Sequence, residues 1–459
     1  MKTKSQSNAS LGKTPPSLRA IPVLGNILDL RKDPLAFMAN AARMHGDVVR
    51  YRLAHYDFYL VTHPEGVQRV LQDNYRNYTR SGSVIWDALK PAFGSPLIVS
   101  DGDSWFYRRR IMQPVFIHRH VAEFALLMTQ KASATLDSWK PFADDGRPLD
   151  IAAAVGQMTL NILLASLFSV HDPEKSKVLG EATLIQNQDA ILRSSLLFYP
   201  PPSVPTPHNR RLRSAILTLD RSIYALIDDH RQNPDAFKDL LALLLQARDE
   251  ETGEGLSDRQ LRDEVASLYF AGYSTSSNTL LWTFYLLAQH PQVAQRLWAE
   301  IDANLGRRTP TVADLPNLPY SQMVLSETLR LYPPGWVSVR KVIADDEISG
   351  YHLPAGSHVT ISAYVTHRHP DYWDDPERFD PERFAPERSQ GRSRYVYFPF
   401  LGGPHQCLGR DFVLLEAQLI LIMVAQRYRL EVIPGHEAEP EPLITLRMRG
   451  SLPMRVHNR

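Results

Sequence analysis

The chain has 459 residues, of which 44% are hydrophobic and 22% charged, and its formal net charge is +1. This near-neutral charge excludes the basic face of a nucleic-acid-binding protein, and the single cysteine excludes a framework of internal disulfides. The first 17 residues are polar and lack the apolar core of a secretory signal, and no run of about 18 uninterrupted apolar residues predicts a membrane span. We expect a cytoplasmic monomer without a nucleic-acid or membrane partner, with a flexible tail over residues 1–17 and one domain over residues 18–459.

The predicted elements are mostly helical. "DPLAFMANAARMHG" has helical spacing and ends at Gly46, a residue typical of helix ends. "DVVRYRL" and "YDFYLVTH" predict two paired strands, residues 121–333 are dominated by helical periodicity, and strands return over residues 340–364. The tail "LITLRMRGSLPMRV" predicts a hairpin. The fold class predicted is therefore mainly α with a minor β region.

One helix stands out by its length and its polar centre. "SDRQ" at residues 257–260 fits a capping box, and helical patterning then runs for about 33 residues, or roughly 50 Å. The small residues Ala271 and Gly272 and the poor helix formers Ser274 and Thr275 lie at its centre. Two interpretations stay open. The segment is either a kinked core helix with a polar face, or a helix distorted so that a flat ligand approaches it and a hydroxyl or freed carbonyl holds water.

A charged pair lies on a second helix. Glu327 and Arg330 are three residues apart and share one helix face. A solvated salt bridge of small value is one interpretation. Apolar residues surround the pair in "YSQMVLSETLRLYPP", which favours a buried pair, and a buried pair needs further partners. Arg383 in "DDPERFDPERF" is the predicted third member.

Cys407, the only cysteine, follows a glycine-rich loop. A thiolate is a soft ligand for iron, copper or zinc, but one cysteine builds neither a tetrahedral zinc site nor an iron–sulfur cluster. Local signatures of a cysteine protease are absent around it. Gly402, Gly403 and Gly409 permit a close approach to a flat macrocycle, and the start of the following helix would stabilise a thiolate. A haem thiolate is the option that remains.

Together these features resemble the cytochrome P450 superfamily, the haem-thiolate monooxygenases, over about residues 15 to 459. The family's cysteine motif, F-x-x-G-x-R/H-x-C-x-G, matches Phe400, Gly403, His405, Cys407 and Gly409. Its other motifs follow in the family's order: W-x-x-x-R matches Trp105 and Arg109, A/G-G-x-D/E-T-T/S matches Ala271, Gly272, Thr275 and Ser276, E-x-x-R matches Glu327 and Arg330, and P-E-R-F matches residues 381–384.

The resemblance implies the P450 fold, with haem b between the long central helix and the cysteine loop and its helix. It makes Cys407 the axial iron ligand, whose electron donation favours O–O cleavage. It places haem contacts at Trp105, Arg109, Arg340, His405, Phe400, Gly403 and Gly409. It assigns the reaction to Thr275, which holds water for protonation, together with Ser274, Gly272 and Ala271. It gives a structural role behind the haem to Glu327, Arg330 and Arg383.

Two positions depart from the family pattern. His405 stands where arginine is commoner, and it weakens one propionate contact when it is neutral. Ser274 occupies the usual Asp/Glu position, and serine has no titratable proton near neutrality. Proton delivery must then use water, Thr275 and another group, or the reaction differs from plain monooxygenation. Ser274 capping a backbone carbonyl, with protons from solvent water, is the plainer alternative.

The resemblance also implies which segments bind substrate and electron donor. The predicted substrate contacts are largely apolar: Val84, Ile85, Trp86, Phe93, Gly335, Val337, Ile444 and Thr445. A separate ferredoxin or flavodoxin-like protein with its reductase would supply electrons. A proximal basic patch is one interpretation of Arg108, Arg109, Arg110, Arg392, Arg394 and Arg410, and scattered solvated arginines are the other.

The predicted function is insertion of one oxygen atom from O2 into a hydrophobic small molecule, either terpenoid, fatty acid or polyketide-like. A peroxide-using or isomerase-like haem-thiolate enzyme is the alternative, motivated by Ser274. A non-enzymatic haem sensor is a third interpretation, and the Thr275 pocket argues against it because a sensor needs no proton relay.

Overall fold

The computed structural model describes residues 12–195, 200, 201 and 203–459, without the side chains of residues 84, 85, 173–175, 177, 194 and 195. Helices account for most of the described chain. In chain order the α-helices are α1 (Ile27–Lys32), α2 (Pro34–His45), α3 (Pro64–Gln68), α4 (Val84–Asp87), α5 (Lys90–Phe93), α6 (Gly102–Met112), α7 (His118–Glu123), α8 (Ala125–Asp137), α9 (Lys140–Asp145), α10 (Ile151–Phe168), α11 (Pro173–Ser195), α12 (Pro207–Gln232), α13 (Leu240–Gln246), α14 (Asp258–Gln289), α15 (Pro291–Asn304), α16 (Pro319–Leu331), α17 (Ala363–Thr366), α18 (Pro386–Ser389) and α19 (Arg410–Arg427).

Short strands form small sheets beside the helices. They are β1 (Val48–Leu53), β2 (Tyr56–Val61), β3 (Tyr78–Thr79), β4 (Leu149–Asp150), β5 (Ser338–Val342), β6 (Asp346–Ile348), β7 (Tyr351–Leu353), β8 (His358–Ile361), β9 (Tyr428–Val432), β10 (Pro440–Pro442), β11 (Leu446–Met448) and β12 (Pro453–Asn458). The largest sheet has the order β1-β2-β8-β5-β3, in which β2 and β8 are parallel and the other neighbours antiparallel. The predicted class, mainly α with minor β, is confirmed.

The long helix α14 passes through the core, as its length predicts. Its capping box is present: the Ser257 hydroxyl accepts a hydrogen bond from the Gln260 backbone N–H, and the Gln260 side chain accepts one from the Ser257 N–H. The helix ends at Gln289, just before Pro291 begins α15. α10, α12, α16 and α19 all contact it. A helix surrounded in this way holds residues from several elements at fixed distances from one another.

Helix α10 is the most apolar helix of the core. Among the described helices it is the one long and apolar enough to cross a membrane, and 67% of it is buried inside the protein. It packs against α8 and α14. Residues that are apolar all around a helix are buried on all sides in a domain core.

Part of the predicted tail, residues 13–17, lies against the domain. Pro16 accepts a hydrogen bond from the Arg50 N–H, and Leu18 donates one to the Arg50 carbonyl, beside the free edge of β1. Lys13 makes a β-bridge with Tyr351. Pairing an exposed strand edge satisfies its backbone groups, so residues 13–17 belong to the domain although their composition is polar.

The predicted C-terminal hairpin is wrong. β11 pairs with β10, whereas β12 pairs with β9 and β4 in a different sheet. The turn at Gly450 has the expected chemistry, with a φ of 73°. The buried Leu452 then anchors the chain, because its carbonyl accepts a hydrogen bond from the Ile151 N–H. Local pattern predicts the turn, but strand partners come from residues outside it.

A buried carboxyl links α19 to α14. Glu416 is 1% exposed, hydrogen-bonds to Ser276 and leaves Oε1 without a partner among the described residues. Burial raises its pKa from 4.5 to about 8. A raised carboxyl pKa favours the protonated folded state, so this contribution to stability is full below pH 4.5 and is lost as the pH rises towards 8.

We expect Glu416→Gln to remove the contribution of this carboxyl to the pH dependence of stability. Relative to the wild type, the variant should gain stability progressively between pH 5 and pH 8, by up to about 1.4 kcal/mol of unfolding free energy per pH unit. Thermal unfolding of both holoproteins across this range measures the difference. The exposed Glu437→Gln is the matched control. Parallel curves for wild type and Glu416→Gln would contradict the prediction.

Candidate active site

The cysteine loop presents the Cys407 sulfur among hydrogen-bond donors. The Cys407 N–H donates to the Phe400 carbonyl at 3.0 Å, which closes the loop. The side chain is exposed, as binding of an external ligand requires. The surrounding protein raises the pKa of the thiol by desolvation, whereas the N–H groups of Gly409 and Arg410 and the charge of Arg109 lower it. Donors aimed at sulfur stabilise the thiolate, which is the form that ligates a metal.

The glycines of the cysteine loop differ in what surrounds them. A Cβ at Gly402 would collide with the Tyr395 ring, and one at Gly403, where φ is 63°, would collide with the Leu71 carbonyl. These two glycines therefore let the loop pack against protein, and their approach to a macrocycle stays a prediction. Gly409 is different: a Cβ there would meet no protein atom within 4 Å, so the protein leaves room for a ligand beside it.

Four predicted haem contacts, Trp105, Arg109, Arg340 and His405, lie near one another and near Arg80. The Trp105 ring lies 4.1 Å from the His405 ring between centroids. Burial and the charges of Arg80, Arg340 and Arg109 lower the pKa of His405 to about 2. Arg340 is 2% and Arg80 5% exposed, and burial lowers the pKa of Arg80 to about 10. Arg80 is the residue that sequence reasoning missed, since no motif marks it in "NYTRSGS".

The cationic cluster comprises the guanidinium groups of Arg80 and Arg340 and the His405 ring, which its low pKa keeps neutral near pH 7. Within the described part of the chain, Arg80 Nε, Arg340 Nη2 and His405 Nδ1 are buried without a hydrogen-bond partner. Leaving a buried charge without a counter-charge costs several kcal/mol. The nearby Asp101 carboxylate already accepts hydrogen bonds from Thr79 and from the Arg80 backbone. The cluster therefore fits a group with two carboxylates, as the haem propionates provide.

Arg109 and Trp86 lie at the edge of the cationic cluster. Arg109 donates to the Gln406 carbonyl at 2.8 Å, so it supports the cysteine loop directly. Trp86, predicted as part of an apolar lid, donates to the Val339 carbonyl at 2.8 Å. The guanidinium carbons of Arg80 and Arg340 lie 5.3 and 5.7 Å from the Trp86 ring centre. The structure thus places Trp86 beside the cationic cluster rather than among apolar side chains alone.

The polar centre of α14 is regular helix. Thr275 Oγ1 donates to the Ala271 carbonyl at 2.9 Å, and Asn278 Nδ2 donates to the Ser274 carbonyl at 2.6 Å. A Cβ at Gly272 would collide with Leu163 of α10. These side chains bond back to the helix, and Gly272 gives room to Leu163 of α10; the approach of a flat ligand to this segment stays a prediction.

The charged pair is buried and has its third member. Glu327 and Arg330 are both fully buried, which excludes the solvated salt bridge. Arg330 Nε donates to Glu327 at 2.7 Å, and Arg383 Nε lies 3.3 Å from the same carboxylate. Arg330 also donates to the carbonyls of His367 and Pro376. All five residues therefore form one connected network.

The predicted substrate contacts fall in two places. Phe93 is 1% exposed, and its ring centre lies 4.6 Å from that of Phe270 on α14. Trp336 donates to the Leu443 carbonyl at 2.9 Å, which brings two short loops together. These loops carry Gly335, Val337, Ile444 and Thr445, all of them partly or fully exposed. The side chains of Val84 and Ile85 lie outside the described residues.

The predicted basic patch contains fewer free arginines than the sequence suggests. Arg108 is buried against Glu264, and Arg110 pairs with Asp249. Arg394 and Arg410 remain exposed. Arginines adjacent in sequence point to different sides of α6 because successive helical residues are about 100° apart.

Comparison with known proteins agrees with this site. A family model described as Cytochrome P450 matches residues 15–452. Two relatives from Streptomyces melanosporofaciens are each 36% identical: cyclooctat-9-en-7-ol 5-monooxygenase, with 91% of this chain and 89% of the relative covered, and cyclooctatin synthase, with 93% and 92% covered. Pentalenene oxygenase of Streptomyces avermitilis is 31% identical, with 93% of each chain covered.

Solved structures show the same fold. The cytochrome P450DA heme domain superposes with a TM-score of 0.89 at 25% identity, covering 98% of both chains. Retinoic acid-bound cyanobacterial CYP120A1 has a TM-score of 0.84 at 25% identity, covering 98% of this chain and all of the other. The chain belongs to the cytochrome P450 family. The predicted family, fold class and enzyme class, a haem-dependent monooxygenase, are confirmed.

The cationic cluster yields a prediction for cofactor retention. We expect Arg80→Gln to release haem at least about tenfold faster, because a buried carboxylate loses one charged partner. Transfer of haem from the purified holoprotein to excess apomyoglobin, followed in the Soret band, measures the rate. Arg449→Gln, an exposed arginine paired with Glu439, is the control. Equal release from both variants would contradict the assignment of Arg80 to the haem edge.

Proposed function

We propose that this P450 hydroxylates a terpenoid of low polarity in the cytoplasm, as a monomer that receives electrons from a separate ferredoxin or flavodoxin-like protein and its reductase. The observation that carries the proposal is the similarity, over more than 90% of the chain, to oxygenases whose names specify pentalenene and cyclooctat-9-en-7-ol. Aromatic and aliphatic side chains at the predicted substrate positions, such as Phe93 and Ile444, support a largely hydrocarbon ligand.

The proposed cofactor is haem b. Cys407 would ligate its iron, and the cationic cluster together with Trp105 and Arg109 would hold its propionates. When bound, the haem supplies O2 binding and, through the electron-donating thiolate, O–O cleavage. The family's haem contacts at Phe400, Gly403 and Gly409 are carried by the backbone of the cysteine loop.

Thr275 is the proposed holder of catalytic water. Its hydroxyl hydrogen is engaged by the Ala271 carbonyl, so its oxygen lone pairs are the atoms that accept a hydrogen bond from water. Ser274 relays a proton between waters without supplying one. Gly272 lets α14 pack closely against α10, and this packing fixes the position of Thr275 in the core.

The position of Ser274 also supports a second candidate, a peroxide-using or isomerase-like haem-thiolate enzyme. Without a carboxyl at this position, a reaction that needs no delivered protons is favoured. The two candidates differ in their co-substrates. The monooxygenase forms product with O2, NAD(P)H and a competent redox partner, whereas product formation with peroxide alone would establish the alternative.

The substrate class is tested by titration of the ferric enzyme. Sesquiterpene and diterpene hydrocarbons, their monohydroxylated derivatives, long-chain fatty acids and macrolides are added separately, and the Soret band is followed. We expect the high-spin shift with the terpenoids, at micromolar dissociation constants typical of pocket ligands of this size. Shifts confined to fatty acids or macrolides would contradict the terpenoid proposal.

Thr275 has a separate prediction. We expect Thr275→Ala to divert electrons to hydrogen peroxide and to lower product per NAD(P)H by about tenfold or more, because loss of a positioned proton-relay group costs about 10²-fold or more in that step. Thr275→Ser retains the hydroxyl and should restore most coupling.

Thr279→Ala is the matched control, because Thr279 is one turn away and its hydroxyl donates to the Thr275 carbonyl. Peroxide and product are quantified from the same reactions. Unchanged coupling in Thr275→Ala would remove Thr275 from the mechanism.

A further inference from the structure

Two adjacent acids on α14 hold the loop between α5 and α6. Asp263 Oδ2 accepts the Ser95 backbone N–H at 2.9 Å, and both carboxylate oxygens of Glu264 accept the Leu97 N–H, at 2.9 and 3.1 Å. Asp263 is 6% and Glu264 1% exposed. Charged acceptors make the stronger class of hydrogen bond. The loop is thus tied by its backbone to the central helix.

Both acids have a cation of their own. Arg108 of α6 donates to Glu264 Oε1 at 2.8 Å, and Arg262 donates to Asp263 Oδ1 at 3.0 Å while also reaching Asp220 of α12. A buried ion pair is weak support for stability, since apolar residues of the same volume often serve better. What this network supplies is a defined position for three elements relative to α14.

The loop packs tightly against the Asp263 carboxylate. Gly94 has a φ of 75°, and a Cβ on it would collide with the Asp263 carboxyl group. On the other side, Gln186 of α11 donates to the Ala92 carbonyl at 3.1 Å. Phe93 therefore lies between an anchor on α11 and an anchor on α14.

The anchored side chain contacts the central helix between the acids and Thr275. Phe270 follows Asp263 by seven residues, two helical turns, and so lies on the same face of α14. The Phe93 and Phe270 rings are in contact. Thr275 lies five residues beyond Phe270, about 1.4 turns further along, so its side chain is about 140° around the helix from that of Phe270. The carboxylate anchors thus set where Phe93 stands relative to the residues beside which substrate is oxidised.

We propose that Asp263 and Glu264 are positioning residues for regioselectivity: by fixing the loop of residues 94–97 they hold Phe93 against Phe270, and this contact decides which part of a bulky apolar substrate is presented for oxidation. This inference rests on the proposed function, and it assigns a functional role to acids that touch neither substrate nor cofactor.

Two substitutions release the loop from opposite sides. Asp263→Ala removes the acceptor of the Ser95 N–H and leaves Arg262 paired with Asp220, whereas Gly94→Ala forces the loop away while Asp263 stays intact. There are two matched controls. Asp258→Ala removes an exposed acid at the start of α14, and Gly146→Ala adds a Cβ at a φ of 70° where that Cβ would meet no protein atom within 4 Å. Glu264→Gln is a third variant that retains one acceptor for the Leu97 N–H but leaves the buried Arg108 without its counter-charge.

The first measurement is amide hydrogen exchange in the holoenzyme. We expect exchange in the peptide covering residues 94–99 to be about tenfold faster in Asp263→Ala and Gly94→Ala, the change that follows from loss of one such hydrogen bond, with both controls unchanged. The second measurement is the ratio of regioisomeric products, which should change in the same variants. Faster exchange with an unaltered product ratio, or unaltered exchange, would overturn the proposal.

A third measurement separates this proposal from the identity of the substrate. Imidazole and phenylimidazole bind the ferric iron whatever the natural substrate is, and their dissociation constants are read from the Soret band. We expect the ratio of the two constants to change about fivefold or more in the loop variants, because a bulky ligand meets Phe93 and a small one does not. If terpenoids fail to bind but this ratio changes, the substrate proposal fails and the positioning role stands. An unchanged ratio would overturn the positioning role.

Discussion

The carboxylate of Glu327 is the counter-charge on which the cysteine side of the molecule depends. It is the shared counter-charge of the buried cations Arg330 and Arg383, and removing one member of such a set costs about 3–5 kcal/mol. Arg330 in turn donates to the His367 carbonyl, and the His367 ring accepts the Phe398 N–H at 2.9 Å. Phe398 leads directly into the cysteine loop. A charge balance on α16 thereby sets the path of the chain that carries Cys407.

The same electrostatic rule, left unsatisfied, supports the proposed position of the haem propionates. Arg80 and Arg340 are buried like Arg330, and His405 is half-buried, but the described protein supplies no carboxylate that hydrogen-bonds to their free nitrogens. Desolvation and repulsion between neighbouring cations lower the pKa values of all three. A folded protein retains such a cluster only where an anionic group completes it, and the haem of a P450 brings two carboxylates. On this basis we propose a structural role for the paired Arg330 and a cofactor-binding role for Arg80 and Arg340.

Helix α14 connects these features because it runs unbroken through its polar centre. Its hydroxyls bond back to its own carbonyls, so a polar centre costs little within the core. Its first turns hold the loop before α6, and its centre carries Thr275. Glu416 approaches the same segment from α19 through Ser276. A single rigid helix therefore relates the substrate loop, the proposed water-holding hydroxyl and a buried carboxyl.

The sequence alone determined the features that need only local chemistry: the capping box before α14, the spacing of Glu327 and Arg330 on one helix face, and a lone cysteine ahead of a helix, from which family and cofactor follow. Tertiary structure decided what depends on neighbours distant in the chain. No local pattern predicts which strands pair with β11 and β12. The same holds for the packing of Gly403 against Leu71 and for the approach of Arg80 to Arg340, which are remote from each other in the chain. The Ser95–Asp263 contact is of the same kind. Backbone periodicity and capping are encoded within a few residues, whereas burial and charge pairing arise only when remote segments meet.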